Sequence, residues 1–374
     1  MNEMIRNISV HLLNEKLYGK INLKSDISTD GLTFAFYLMK GRERLDTVWY
    51  SKDDDVFFDL SGLKGQFSVL GFVKRDGADP DRMQSNRVSI DADFVQKRSI
   101  RLKEWPPLSS FSKVPSSTYL DNTSELEAIE YRVTTDSNGF LRARSDRFKE
   151  CEDKWVFLGG SFIESLFVRE GFRFNDILEN QLSRNGKSID ILNGGYSGAT
   201  LLHIVNTVIN KVIPLKPKKL FVCVPSNDSR CLRQQGGYYT KDKFFSPVVP
   251  TLGGAERKSA INVSDLPLML NILKTAAECS GIRLYIGTTP SRHINFDSDE
   301  LLVKRYSNRK YFDSIIKDRF AVSDVVRTWT ESNDIELIDL EKEMLDFKKY
   351  SYDELHLNEF GSNQLANILL SRMA

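Results

Sequence analysis

The stretch Trp155-Val-Phe-Leu-Gly-Gly-Ser161-Phe162 constrains what this chain can fold into more than any other. Four apolar residues stop on two glycines and a serine, and helical periodicity follows. That is the pattern of a buried strand delivering a serine to the carboxyl edge of a parallel sheet, where a nucleophile would sit. The same letters also describe an ordinary strand-to-helix turn, in which the glycines supply unusual backbone angles and the serine caps the helix. The remainder of the chain decides between them.

Beyond Lys154 strands alternate with helices. Strands are expected at Trp155–Leu158, Ile189–Leu192, Leu220–Val224, Leu284–Ile286 and Glu336–Ile338. Helices are expected at Phe174–Ser183, Thr200–Val212, Leu266–Cys279, within Lys310–Ser332 and at Glu359–Met373. Five short buried strands with intervening helices imply a doubly wound parallel sheet of flavodoxin-like kind, with its ligand site at the carboxyl ends of the strands.

The first hundred residues differ. From Ile5 to Asp91 about seven short alternating or β-branched runs are broken by turn signals such as Ser-Thr-Asp-Gly and Arg-Asp-Gly-Ala-Asp-Pro, which argues for an all-β, immunoglobulin-like sandwich. Its aromatics Phe34, Phe36, Tyr37, Trp49, Tyr50, Phe57 and Phe58 could form a sugar-stacking platform, although aromatics alternating along strands are more often core. The expected division is a sandwich over 1–100, a linker and lead-in segment over 101–150, punctuated by Glu104-Trp-Pro-Pro and Pro115-Ser-Ser-Thr, and a catalytic domain over 151–374. A length of 374 residues fits two domains, and 41% hydrophobic with 28% charged residues fits globular ones.

Charge excludes little: 52 Lys and Arg stand against 51 Asp and Glu, so the net charge of +1 gives no ground for expecting nucleic acid or an anionic membrane and leaves local patches open. No run approaches the ~18 apolar residues of a membrane span. The segment Met1–Leu13 lacks the apolar core and cleavage site of a secretory signal, and Cys151, Cys223, Cys231 and Cys279 show no metal-ligand spacing. A cytoplasmic protein with reduced thiols and with no metal or cofactor is the expectation.

Four segments fall at strand ends, and each carries a group that acyl transfer needs. Ser161 follows the first strand. Asn193-Gly-Gly-Tyr-Ser-Gly198-Ala-Thr follows the second and runs into a helix, so its N–H groups can face an anion. Pro225-Ser-Asn227-Asp228 follows the third and brings a carboxamide. Asp353-Glu-Leu-His356 stands just before the last helix.

These four blocks, in this order, resemble the SGNH (GDSL-like) hydrolase superfamily over residues 130 to 374. The resemblance implies Ser161 as nucleophile, with Asp353 and His356 completing a triad, and an oxyanion hole built from Ser161, the Gly198 N–H and the Asn227 side chain. The residues support this beside the name, because only His11, His203, His293 and His356 are available as a base, and His356 alone has a carboxylate three positions before it. Two departures stand out: Gly159-Gly160-Ser161 replaces Gly-Asp-Ser, as in other members of the group, and Pro225 stands where a glycine usually precedes the Asn by two positions. Proline cannot copy glycine's conformations, so the placement of Asn227 is left to the fold.

After Asp228 an insertion runs to Leu266, and its Arg230, Arg233, Tyr238 and Tyr239 are candidates for substrate binding; arginine pairs with carboxylate and tyrosine stacks on a pyranose, while a solvated loop fits the letters equally. The expected activity is a serine esterase removing O-acyl, above all O-acetyl, groups from an acylated carbohydrate. Two alternatives stay open: an O-acetyltransferase of polysaccharide assembly with the same triad, and a non-catalytic glycan-binding or assembly protein. A sandwich before such a domain is similar to the second carbohydrate esterase family.

Overall fold

The computed structural model describes residues 4–13, 15–90, 99–143, 151–249 and 256–374. The chain divides into two compact units, Met1–Lys97 and Arg98–Ala374.

In the first unit, β1 (Ile5–Leu13), β2 (Lys16–Leu23) and β5 (Asp55–Asp59) form one antiparallel sheet. A second contains β4 (Glu43–Ser51), β3 (Leu32–Lys40), β6 (Gly65–Arg75) and β7 (Asp81–Gln84), and β8 (Val88–Ile90) also pairs with β6. Ile8, Leu17, Ile21 and Phe58 from one sheet meet Phe34, Phe36, Leu38, Phe67 and Val69 from the other in a single core, so the unit is a β-sandwich. The strand β7 is the one the sequence missed. Its letters Asp-Arg-Met-Gln carry no β-branched signal; it is held by pairing with β6 and by Asp81, whose carboxylate accepts the Met4 and Ile5 N–H groups. Of the seven aromatics, Phe34, Phe36 and Phe58 are core, while Trp49 on β4 and Phe57 on β5 are exposed in different sheets.

The second unit begins earlier than the letters suggest. Residues 101–143, read as linker and lead-in, are part of it (144–150 lie outside the described residues). Strand β9 (Ser99–Ile100) pairs with β15 (Val248–Val249), and β10 (Ser110–Lys113) pairs with β11 (Tyr131–Thr134). After the turn at Asn138-Gly139, Leu141 bridges to Asn193 and ties the segment to the main sheet. The reason is burial: Val133, Phe140 and Leu141 are at most 1% exposed, which a linker's side chains would not be.

The main sheet has five parallel strands, β12 (Asp153–Leu158), β13 (Ile189–Asn193), β14 (Lys219–Cys223), β16 (Arg283–Gly287) and β17 (Glu336–Ile338), in the order β13-β12-β14-β16-β17. Period-two alternation splits its side chains between two layers. Trp155, Phe157, Ile191, Phe221 and Tyr285 pack on the helices Phe174–Arg184 and Glu359–Met373. Val156, Leu158, Leu192, Val222 and Ile286 pack on Leu201–Thr207, Leu266–Cys279 and the helix Arg309–Ser332. Burying a side chain such as Phe157 contributes roughly 1.5–3 kcal/mol, and truncating it to alanine would cost about 3–5 kcal/mol. This doubly wound fold is the one expected, and the strand order reverses beside β12, so Ser161 emerges at the topological switch point.

Candidate active site

Ser161 opens the one-turn helix Ser161–Glu164 directly after β12. The turn is tight because its glycines have no side chain: a Cβ on Gly159 would stand 2.5 Å from Ile163 Cγ1. Ser165 then takes a left-handed conformation (φ 50°), and the buried Arg173 guanidinium donates to its carbonyl and to that of Arg132. Asn193 closes the frame, its amide donating to Ile163 O while its Oδ1 accepts the Gly195 N–H.

His356 Nε2 lies 2.8 Å from Ser161 Oγ, and His356 Nδ1 lies 2.7 Å from Asp353 Oδ2. With Nδ1 protonated and donating to the carboxylate, Nε2 accepts the serine O–H. Asp353 is 1% exposed, and its Oδ1 accepts the backbone N–H groups of Leu355 and His356. Burial pushes its carboxyl up, but His356 and these donors outweigh burial and hold it at about 2. For His356 the opposing effects are burial, which lowers, and Asp353, which raises and prevails. Asp353 therefore stays ionised at neutral pH and favours the imidazolium that proton transfer from Ser161 would create.

Gly198 and Asn227 line the same cleft as Ser161 and His356, so the proline at 225 has not turned the third block away. A Cβ on Gly160 would come within 3.6 Å of Asn227 Nδ2, which sets the carboxamide beside the nucleophile turn. At Gly198 φ is +75°, and a Cβ there would meet the Phe244 ring at 2.6 Å and Lys103 Nζ at 2.8 Å. Both the backbone angle and the crowding require glycine.

The insertion corrects two expectations. Tyr238 is fully buried, its hydroxyl donating to Asp228 Oδ1 beneath the site, and so cannot stack on a sugar. Tyr239 is 64% exposed and is not part of the cleft wall. Two adjacent tyrosines on the one-turn 3-10 helix Gly237–Tyr239 point in different directions; one fills the core and the other faces solvent. Arg230 and Arg233 do line the cleft, Arg233 with its Nε 2.6 Å from Asp318 Oδ2.

Sequence reasoning missed four residues. Glu164, three positions after Ser161, is buried, accepts the Ser197 hydroxyl, and has its pKa raised by burial. Lys103 donates to Gly198 O. Tyr119 and Arg305 stand 3.5 and 3.9 Å from Asp353 Oδ2. Only Glu164 had a signal, the helical spacing from Ser161. The cleft itself measures about 1020 Å³. Among the described residues no cluster of three or more His, Cys, Asp or Glu could hold a metal ion, and no helix is long and apolar enough to cross a membrane.

A doubly wound parallel sheet of this order, with serine, glycine, asparagine and histidine lining a cleft beside Ser161, is the arrangement that the sequence resemblance anticipates. No protein-family model and no curated protein matches the chain. Among solved structures it is similar to an acetyl xylan esterase, AlAXEase (15% identity over 59% of this chain and 100% of that one, TM-score 0.43). It is also similar to a catalytic mutant of an acetylxylan esterase from Geobacillus stearothermophilus (15%, 59% and 94%, TM-score 0.42) and to a GDSL-like lipase from Bacteroides thetaiotaomicron (13%, 59% and 87%, TM-score 0.38).

Proposed function

We propose that the protein is a serine esterase that removes O-acyl, above all O-acetyl, groups from a carbohydrate through an acyl-serine intermediate. The observation that carries this reading is the unbroken relay from Ser161 Oγ through His356 to Asp353, at 2.8 and 2.7 Å, opening into a cleft far larger than an acetyl group. Ser161 Oγ attacks the acyl carbon as His356 Nε2 takes its proton. The carbonyl oxygen becomes an oxyanion facing the Ser161 and Gly198 N–H groups and the Asn227 amide. Collapse expels the sugar alkoxide, which takes the proton from His356, and water repeats the sequence in reverse to release the acid.

The test is turnover of 4-nitrophenyl acetate and of acetylated saccharides, with acetate and acetylated sugar both quantified. Ser161→Ala is expected to abolish turnover without disturbing the fold, because the hydroxyl fills no core space. Folded Ser161→Ala with an unchanged rate would refute the reading, and acetylated acceptor exceeding free acetate would make the protein a transferase, for whose acceptor the cleft has room. The pH profile follows from the base having to be neutral: kcat/KM should rise with pH through a midpoint above the ordinary histidine value of about 6.5. Asp353→Asn removes the group that raises it, so the midpoint should move down while the rate falls.

A further inference from the structure

Acyl transfer uses none of the excess positive charge around Ser161. Six cations line the cleft, Arg230, Arg233, Arg257, Lys258, Arg305 and Arg319, against four carboxyl groups, Glu164, Asp242, Asp318 and Glu354. Three of the six have acidic partners: Arg233 pairs with Asp318, Arg319 with Glu354 at 2.8 Å, and Arg305 lies 3.9 Å from Glu354. Among the described residues Arg230, Arg257 and Lys258 have no carboxylate at ion-pair distance. Two of the acids are otherwise engaged: Asp242 accepts the Phe244 and Phe245 N–H groups, and Glu164 is held by Ser197 with its pKa raised.

These three cations are mounted on a fixed frame. Arg230 stands three residues after Asn227 on the helix Asn227–Leu232, and hence on the same face as the carboxamide at the cleft. The strand-like residues that follow dock on the end of that helix: Gln235 N–H donates to Glu256 O, Gln234 bridges to Arg257, and Lys258 N–H donates to Arg233 O. On the same wall Gln234 Oε1 and Arg319 Nε and Nη1 are buried without protein partners, leaving polar capacity that the fold does not use. Exposed Tyr311 and Phe244 give flat faces for a pyranose.

We infer that the cleft takes an anionic saccharide, its carboxylate or sulfate group set against Arg230, Arg257 and Lys258 while the O-acyl group reaches Ser161. The acyl position rests on the esterase reading; the anion subsite is tested apart from it. Calorimetry on the full-length Ser161→Ala protein would compare galacturonate oligomers, sulfated galactan oligomers and neutral xylo-oligomers of equal length at low and at moderate salt. Three charge contacts, two of them at exposed arginines, predict binding of at least one anionic series about tenfold tighter than the neutral one, the gap shrinking as salt rises. The carboxylate and sulfate arms identify the group. Because Arg257 is exposed and Lys258 half-buried, the double change Arg257→Gln, Lys258→Gln is expected to fold and to close most of the gap; Arg230→Gln should close part of it. Equal affinity for neutral and anionic oligomers, or a gap untouched by these changes, overturns the inference and spares the esterase. Selective anion binding by a wild-type protein that turns over no ester upholds the subsite and removes the esterase reading.

Discussion

Lys103 Nζ donates to the carbonyl oxygens of Gly198, at 2.8 Å, and Phe244, at 3.0 Å, and lies 4.4 Å from the centre of the Phe244 ring. Burial without a carboxylate partner pushes its pKa down to about 8. A lysine accepts that cost here because it fixes a glycine held at positive φ, the one proposed to supply an oxyanion donor. Lys103→Met keeps the aliphatic stem and removes both hydrogen bonds, so kcat on 4-nitrophenyl acetate should fall on the order of tenfold with KM nearly constant, one net hydrogen bond being about 1 kcal/mol. Asn227→Ala removes a proposed oxyanion donor itself and should cost on the order of 10² to 10³ in kcat. If Lys103→Met raises KM and leaves kcat alone, the lysine serves substrate binding and not the geometry of Gly198.

At the scale of elements, one buried carboxyl joins the two loops that carry those donors. Asp228 Oδ1 accepts the Leu201 N–H, at 3.1 Å, at the start of the helix after Gly198, and also the Tyr238 hydroxyl. Its Oδ2 has no partner, and burial, opposed by those two bonds, pushes the pKa up to about 7. A carboxyl raised in the folded state binds a proton that the unfolded chain has released. Its stabilisation is therefore complete below the unfolded value of about 3.9 and is lost as pH rises through about 7. Asp228→Asn keeps an acceptor for Leu201 and has no charge to bury, so its Tm should fall less than wild type between pH 5 and pH 8. A Tm difference that does not change with pH would show that the carboxyl is ionised throughout. Asp228→Ala strands two buried donors and should cost about 2–3 kcal/mol in denaturant unfolding.

For the whole molecule the decisive boundary is Lys97–Arg98 and not residue 150. Residues 98–374 include Lys103, Tyr119 and the β10–β11 pair, whose partners all lie in the second unit. Expressed alone, 98–374 should fold cooperatively and keep the 4-nitrophenyl acetate turnover of the full chain. Residues 151–374 should aggregate, because removing Val133, Phe140 and Leu141 uncovers the core they close. Soluble, active 151–374 would show that the lead-in segment is dispensable. The sandwich has its own core, and its share in any action on polymeric glycan is read by comparing the full chain with 98–374 on polymer and on small ester.

The sequence by itself determined the elements whose burial repeats locally. Short continuous apolar runs ended by turn residues marked the five parallel strands, and helical periodicity marked the helices Leu266–Cys279 and Glu359–Met373. The spacing Asp353-x-x-His356 was legible for the same reason, since both partners lie within one turn of chain. What only the tertiary structure decided were contacts between distant segments: Lys103 with Gly198 is 95 residues apart, and Arg305 with Asp353 joins the end of the helix Glu300–Arg305 to the segment just before the last helix. Tyr238 and Tyr239 show the same limit, since nothing local tells which of two adjacent tyrosines will meet Asp228. Hydrophobic periodicity reports which face of an element is buried; which polar groups meet there is fixed only when the elements pack.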